Sequence, residues 1–267
     1  SSWKYIILDY RLPKAITAIL AGGGLAVSGL LMQTLFRNPL AGPFVLGLSS
    51  GASLGVALLI LGTGIFGISF GGFLLGSWSL VIASAFGSFL VLLAVLSVTF
   101  KVKDTMTILI IGLMFGRVTA AVVSVLSYFS NAEQLQQFVF WSFGTLGNVS
   151  WNGILILFFC ITIGLWISFH TTKSLNALLL GENYAKSMGV NLKLATFWII
   201  VATSLLAGSI TAFAGPIAFI GLAAPHIARF IYGPSHRALT IHSALIGAFI
   251  VLVADTLART IAQPNEL

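Results

Sequence analysis

Residues 152–171 read NGILILFFCITIGLWISFHT, a run without a single Asp, Glu, Lys or Arg. About 20 apolar residues is the length a helix needs to cross a hydrocarbon core of about 30 Å. Inside that core the backbone has no water to bond to, so every amide must be satisfied within its own segment, and an apolar run of this length reads as a helix. The short alternating segments of a membrane barrel do not appear in the chain.

Working outward, similar windows place spans at 14–36, 43–63, 78–100, 105–129, 152–171, 194–213, 216–232 and 240–262. The expected fold class is all-α: a polytopic integral membrane helix bundle with about eight spans, forming one transmembrane domain over residues 1–267. Composition agrees, since 58% of residues are hydrophobic and 7% charged, which excludes an ordinary soluble domain. The formal net charge of +7 would suggest nucleic acid in a soluble protein, but here topology explains it and no nucleic-acid partner is expected. Arg37, Lys101, Lys103, Lys173, Lys186, Lys193, Arg229 and Arg237 all fall in or beside alternate loops, and the opposite inter-helix loops carry no Lys or Arg. The positive-inside rule assigns the basic loops to the cytoplasm, so residue 14 enters from outside and Arg259 emerges there. Trp78, Trp141 and Trp151 then lie at outer ends as interfacial anchors. Cys160 is the one cysteine, which excludes an intramolecular disulfide and a multi-cysteine metal site.

Small residues recur where helices must touch. Gly47, Gly51 and Gly55 form a small-xxx-small stripe and Gly112 with Gly116 repeats the spacing, a pattern that lets backbones approach closely. Residues 132–146 are too short to span, yet Leu135, Phe138 and Val139 follow helical spacing, so a short helix is expected at the outer surface. The longest cytoplasmic excursion, 174–193, holds a helix-competent segment, Glu182 to Met188, bracketed by Gly181 and Gly189 and suited to docking a soluble partner. In the turn Arg37-Asn38-Pro39-Leu40-Ala41-Gly42-Pro43, two prolines end one helix and restart the next.

Four motifs together carry a resemblance: GLLMQTLFRNPLAGPFVLGLSSGASLG (29–55), LGENYAKSMGV (180–190), AGPIAFIGLAAPHIARFIYGPSHR (214–237) and LVADTLAR (252–259). The chain resembles the FecCD-type permeases, membrane subunits of binding-protein-dependent ABC importers for ferric siderophores, haem and cobalamin. The resemblance runs over essentially the whole chain, in order. It implies a ten-span type II importer permease in which the first and last helices lie outside the residues given. It also implies a homodimer in the cytoplasmic (inner) membrane of a bacterium, in contact with membrane lipid. The pair would be served by a cytoplasmic ABC ATPase dimer, one ATPase to each copy, that uses ATP and Mg, with an extracytoplasmic substrate-binding protein delivering cargo. No cofactor is expected on this chain itself and no metal site, and the chain is expected to be a transport subunit rather than an enzyme.

The resemblance also assigns residues. Asn38 and Leu40 match the family's cytoplasmic gate, and Thr105 and Met106 align with its second part. Gly181, Glu182, Ala185 and Gly189 match the loop that couples to the ATPase. Arg11, Lys14 and Arg259 match the outer positions that receive acidic side chains of the binding protein, with Lys14 in place of the more usual Arg, which keeps the charge and loses the bidentate fork.

Three polar residues are read from physics alone. His226 in an apolar helix is expected to be a satisfied structural group, and Asp255, one turn from Arg259, an internal pair or cap. Arg117 lies about halfway along the 105–129 span, where a charge costs about 2.5–3.5 kcal/mol on insertion scales, so it should be paired or face a hydrated cavity on the substrate path. An ion-coupled secondary transporter is the rival reading. It would need carboxylates or a His relay at mid-membrane, and Asp255 and His226 lie towards helix ends.

Overall fold

The computed structural model describes residues 2–62, 77–99, 101–102 and 105–261. Within them the chain folds as helices joined by short turns: α1 Leu12–Leu35, α2 Leu48–Ile60, α3 Ser77–Thr99, α4 Thr105–Phe129, α5 Ala132–Phe143, α6 Trp151–His170, α7 Thr172–Leu179, α8 Glu182–Ser187, α9 Leu192–Ala214, α10 Ile220–Tyr232 and α11 His236–Ile261. Helical turns over Ser2–Tyr5 and a π-helical Ile6–Arg11 extend α1 at its start, and a 3₁₀ turn, Pro43–Leu46, precedes α2.

Six of these helices are long and apolar enough to cross a membrane: the segment Trp3–Leu35 and α3, α4, α6, α9 and α11. The eight expected spans are thus corrected in two places. The 43–63 span is a 3₁₀ turn followed by the 13-residue α2, because Gly47 takes a left-handed φ of 77° and starts the helix late. The 216–232 span is broken: residues 215–219 are not helical and α10 begins only at Ile220, because Pro216 has no amide hydrogen to give an interior helical turn. The expected outer-surface helix is α5, started by a capping box in which Asn131 and Gln134 bond reciprocally.

Several polar side chains inside the apolar helices satisfy themselves locally, while the buried hydroxyls of Ser84, Thr203, Ser204 and Ser243 have no partner among the described residues. Thr17 donates to the Pro13 carbonyl, Ser168 to Gly164 and Thr211 to Ala207, each one turn back, so the residues remain compatible with a lipid-facing or buried helix. Helices α1 and α9 form the centre, with 78% and 67% of their spanning windows buried, while α4 has 17% buried and leaves most of its surface uncovered by this chain.

Close backbone approach sets the packing. A Cβ on Gly51 would lie 2.6 Å from the Gly87 carbonyl oxygen, and one on Gly112 the same distance from that of Val45, so α2 and its preceding turn are wedged between α3 and α4. The glycine stripe therefore packs helices, as its spacing predicts. Gly22 and Gly247 make the equivalent contact between α1 and α11, where a Cβ on either would come within 2.3 Å of the other's carbonyl oxygen.

Candidate functional site

The polar and irregular features gather at the two ends of the bundle and at one break within it. At the basic end, α1 finishes in a Schellman turn: Arg37 N–H donates to the Thr34 carbonyl and Asn38 N–H to that of Gln33. The residue at the left-handed position is Arg37, with φ 46°, where glycine is usual. Asn38 then folds the chain back, its Oδ1 accepting from Leu40 N–H at 2.9 Å and its carbonyl from Ala41 N–H at 3.0 Å. Pro39 cannot continue the helix, and Leu40 is left 76% exposed, an apolar tip held out by a rigid turn.

Against this turn lies the α7–α8 segment. Gly181, at φ 114°, turns the chain between the two helices, and α8 closes on its own Schellman motif, in which Gly189 N–H donates to Lys186 and Val190 N–H to Ala185. Ala185 is fully buried, which pins α8 to the bundle, while Glu182, Asn183 and Tyr184 line a recess with Phe36, Arg37 and Met106. The structure therefore brings Asn38, Leu40 and Met106 to the same end as Gly181, Glu182, Ala185 and Gly189. Thr105 begins α4 beside them. Glu182 and Lys186 both line a neighbouring recess with Lys193 and Thr196.

At the opposite end the three outer basic residues separate into two kinds. Lys14 Nζ lies 3.3 Å from Asp255 Oδ1, and the Arg259 guanidinium bonds the other carboxylate oxygen from one turn along α11. Asp255, expected as an internal partner of Arg259, thus also ties α1 to α11 through Lys14. Arg11 is exposed and makes no ion pair among the described residues. Lys14 and Arg259 share the Asp255 carboxylate, and Arg259 Nε is buried without a hydrogen-bond partner among the described residues. Nearby, Thr145 N–H donates to the Ala214 carbonyl, and Trp141, Phe140 and Phe213 line a recess under α5.

The break at residues 215–219 is the feature sequence reasoning missed. Phe219 has φ 70° and ψ −33°, and Ile220 N–H donates to the Ala218 carbonyl across it, which makes Phe219 the centre of a γ-turn of the strained, positive-φ kind. A bulky residue in that region costs on the order of 1–3 kcal/mol. Its side chain is 77% exposed and shares a groove with Leu40, Pro43 and Phe44. Gln33, buried in α1, donates to the Gly221 and Leu222 carbonyls in the first turn of α10 at 3.4 and 3.3 Å, and the Gly221 carbonyl is the one that Pro225, with no amide hydrogen, leaves without its helical donor. The Gly-Pro-Ile at 215–217 inside an apolar run was the available signal, since a Pro there interrupts a helix.

Arg117 sits midway along α4 on an exposed face, with no hydrogen bond or ion pair among the described residues. His226 does not occupy the interior position expected of it; it lies exposed on α10, because Ala224, Pro225 and Ala228 supply that helix's buried side.

This arrangement, a two-ended bundle with a basic end of turns and short helices and a broken span beside its central helix, matches the FecCD transport family over residues 1–267. The chain belongs to the FecCD transport family. It is 37% identical over 268 residues to the hemin transport system permease protein HmuU of Yersinia pestis, an alignment covering 98% of this chain and 78% of that protein. It is 36% identical to the vitamin B12 import system permease protein BtuC of Citrobacter koseri, over 99% of this chain and 78% of the relative. Among solved structures, an inward-facing conformation of a metal-chelate type ABC transporter superposes with a TM-score of 0.89 at 30% identity, covering 99% of this chain and 82% of that one. A second, PsaBC from Streptococcus pneumoniae in complex with Fab, has a TM-score of 0.63 at 18% identity and shares the fold. This member of the family is a multi-pass membrane transport protein.

Proposed function

We propose that the chain is the permease subunit of an ATP-driven importer of an iron chelate, haem or a siderophore complex, with cobalamin as the next candidate cargo. The observation that supports this most is the meeting of α8 and the Arg37–Leu40 turn at the basic end, which puts a partner-sized handle directly against an exposed apolar tip. Two copies would pair around the uncovered face of α4, in the cytoplasmic membrane of a bacterium. A cytoplasmic ATPase dimer, using ATP and Mg, would hold the α8 segments through Gly181, Glu182, Ala185 and Gly189. Closure of that dimer would move α7–α8 and reset the gate formed by Asn38, Leu40, Thr105 and Met106. A binding protein would dock outside on Arg11, with Lys14 and Arg259 as further basic contacts beside it. Arg117 of each copy would face the hydrated path and attract the carboxylates of an anionic chelate, which provides the charge with a partner not found among the described residues. Residues 1–267 act as one permease domain in this reading.

The ion-coupled alternative gains nothing from the structure, since Asp255 is committed to two cations and His226 is exposed beside no acidic partner. The deciding experiment is uptake into vesicles carrying the permease with its ATPase. Accumulation that needs ATP and a cargo-loaded binding protein supports the importer, whereas accumulation driven by a proton or sodium gradient alone overturns it.

A further inference from the structure

We infer that His236 is a positioning residue that carries displacement of the α7–α8 segment to the gate turn; the inference rests on the importer reading above. His236 opens α11, is fully buried, and bonds two other elements. Asn176 of α7 places Oδ1 3.2 Å from the His236 backbone nitrogen and 2.9 Å from Nδ1. The backbone N–H can only donate, so the Asn176 oxygen faces His236 and Nδ1 donates to it as well. On the other side of the ring, the unprotonated Nε2 accepts from the Thr34 hydroxyl of α1 at 2.8 Å, in competition with the Leu30 carbonyl 2.9 Å from the same hydroxyl. Both ring nitrogens are therefore engaged, and the ring is held between α7 and α1.

What the ring joins is the reason to assign it more than a packing role. Asn176 stands on α7, whose Leu175, Ala177 and Leu178 are buried and whose end passes through Gly181 directly into α8. Thr34 stands at the end of α1, and its carbonyl accepts from Arg37 N–H in the turn that presents Leu40. Force applied at Glu182 reaches Leu40 through a short series of bonded groups: α8, Asn176, His236, Thr34 and the Arg37–Leu40 turn. Arg37 makes a second contact along the same route, for a Cβ on Gly181 would lie 3.8 Å from its Nη2. A hydrocarbon contact in place of the imidazole would pack as well and slide, whereas hydrogen bonds at both nitrogens fix direction and distance. The residue carries no sequence signal for this role, since its partners lie 60 and 202 positions away.

The test uses the permease with its ATPase and binding protein in proteoliposomes, and reads cargo moved per ATP hydrolysed. A nitroxide on Leu40→Cys, in a Cys160→Ala background, reports the gate distance across the dimer. Thr34→Val, Asn176→Ala and His236→Gln each remove one or more bonds of the series. The expected result is that ATP hydrolysis persists, cargo per ATP falls by about fivefold or more, and the Leu40 distance ceases to respond to ATP. Unchanged cargo per ATP in Thr34→Val and Asn176→Ala overturns the inference. So does a proportional fall of transport and hydrolysis with the gate still responding, which marks a purely structural role. If His236→Gln fails to fold, the other two variants decide, because Thr34→Val keeps its volume and Asn176 is partly solvent-exposed. Absence of ATP-dependent uptake by the unsubstituted complex overturns the importer reading itself, and is seen before any variant is made.

Discussion

Replacing Asp255 with Asn removes the carboxylate that holds Lys14 and Arg259 together across α1 and α11. At the observed 3.3 Å, the Lys14–Asp255 charge pair is worth about 5 kcal/mol at an effective dielectric constant of about 20, and about 1 kcal/mol in bulk water. The side chains of Lys14, Asp255 and Arg259 keep 14%, 9% and 27% of their exposure, so the site lies between those limits and nearer the buried one. Deleting one partner also leaves two cations facing each other, the situation in which breaking a buried pair costs about 3–5 kcal/mol. Allowing for the water that reaches Arg259, the expected loss is about 2–4 kcal/mol. The assay is denaturant unfolding of the purified protein in detergent, comparing the wild type with Asp255→Asn, Lys14→Met and the double variant. Lys14→Met in the Asp255→Asn background should recover part of the loss, because it removes one of the stranded charges. Stability of Asp255→Asn equal to the wild type, or no recovery in the double variant, would refute the reasoning and return Lys14 and Arg259 to the role of free docking cations.

The other predictions follow from charges placed at the two ends and in the middle. Glu182→Lys should abolish capture of the ATPase in a pull-down while the permease still inserts and dimerises; transport unchanged by this reversal removes the residue from coupling. Arg11→Glu should weaken binding-protein affinity about tenfold at low salt and much less at high salt, as expected of an exposed steering charge, with thermal stability unaffected. Lys14→Glu should instead lower stability, because it sets a second carboxylate against Asp255, and equal behaviour of the two variants in both assays contradicts the division between them. Arg117→Gln should reduce uptake of an anionic chelate while preserving assembly and basal ATP hydrolysis; normal uptake, or loss of folding, excludes the cavity role.

Much of the fold was legible because the membrane allows so few solutions. Window length, the basic-loop asymmetry and the glycine spacing led to helices, their order and the α2–α3–α4 wedge, since each depends on residues close together in the chain. The Arg37–Leu40 turn and the short helix α8 were legible for the same reason: Asn38-Pro39 and the Gly181/Gly189 bracket are local signals with local causes. Where the reading failed, a tertiary contact supplied what the local sequence lacked. The 216–232 window is apolar enough to span, yet the chain stays non-helical to Phe219, and within α10 Pro225 has no amide hydrogen for the Gly221 carbonyl, which takes one from Gln33 of α1 instead. Window averages cannot register such a donor.

The sequence by itself determined that this is an all-helical membrane transport protein of the FecCD type, and which residues sit at which end of the bundle. Solvent decided those matters: hydrocarbon demands internally bonded backbone, and the charged loops stay on one side. Only the tertiary structure decided that Lys14 is a latch on Asp255 and Arg11 is not, that Arg117 finds no partner among the described residues, and that His236 joins Asn176 to Thr34. Each depends on distances between residues far apart in the chain, which are set by how closely the glycine-bearing helices approach and not by any composition or spacing along one of them.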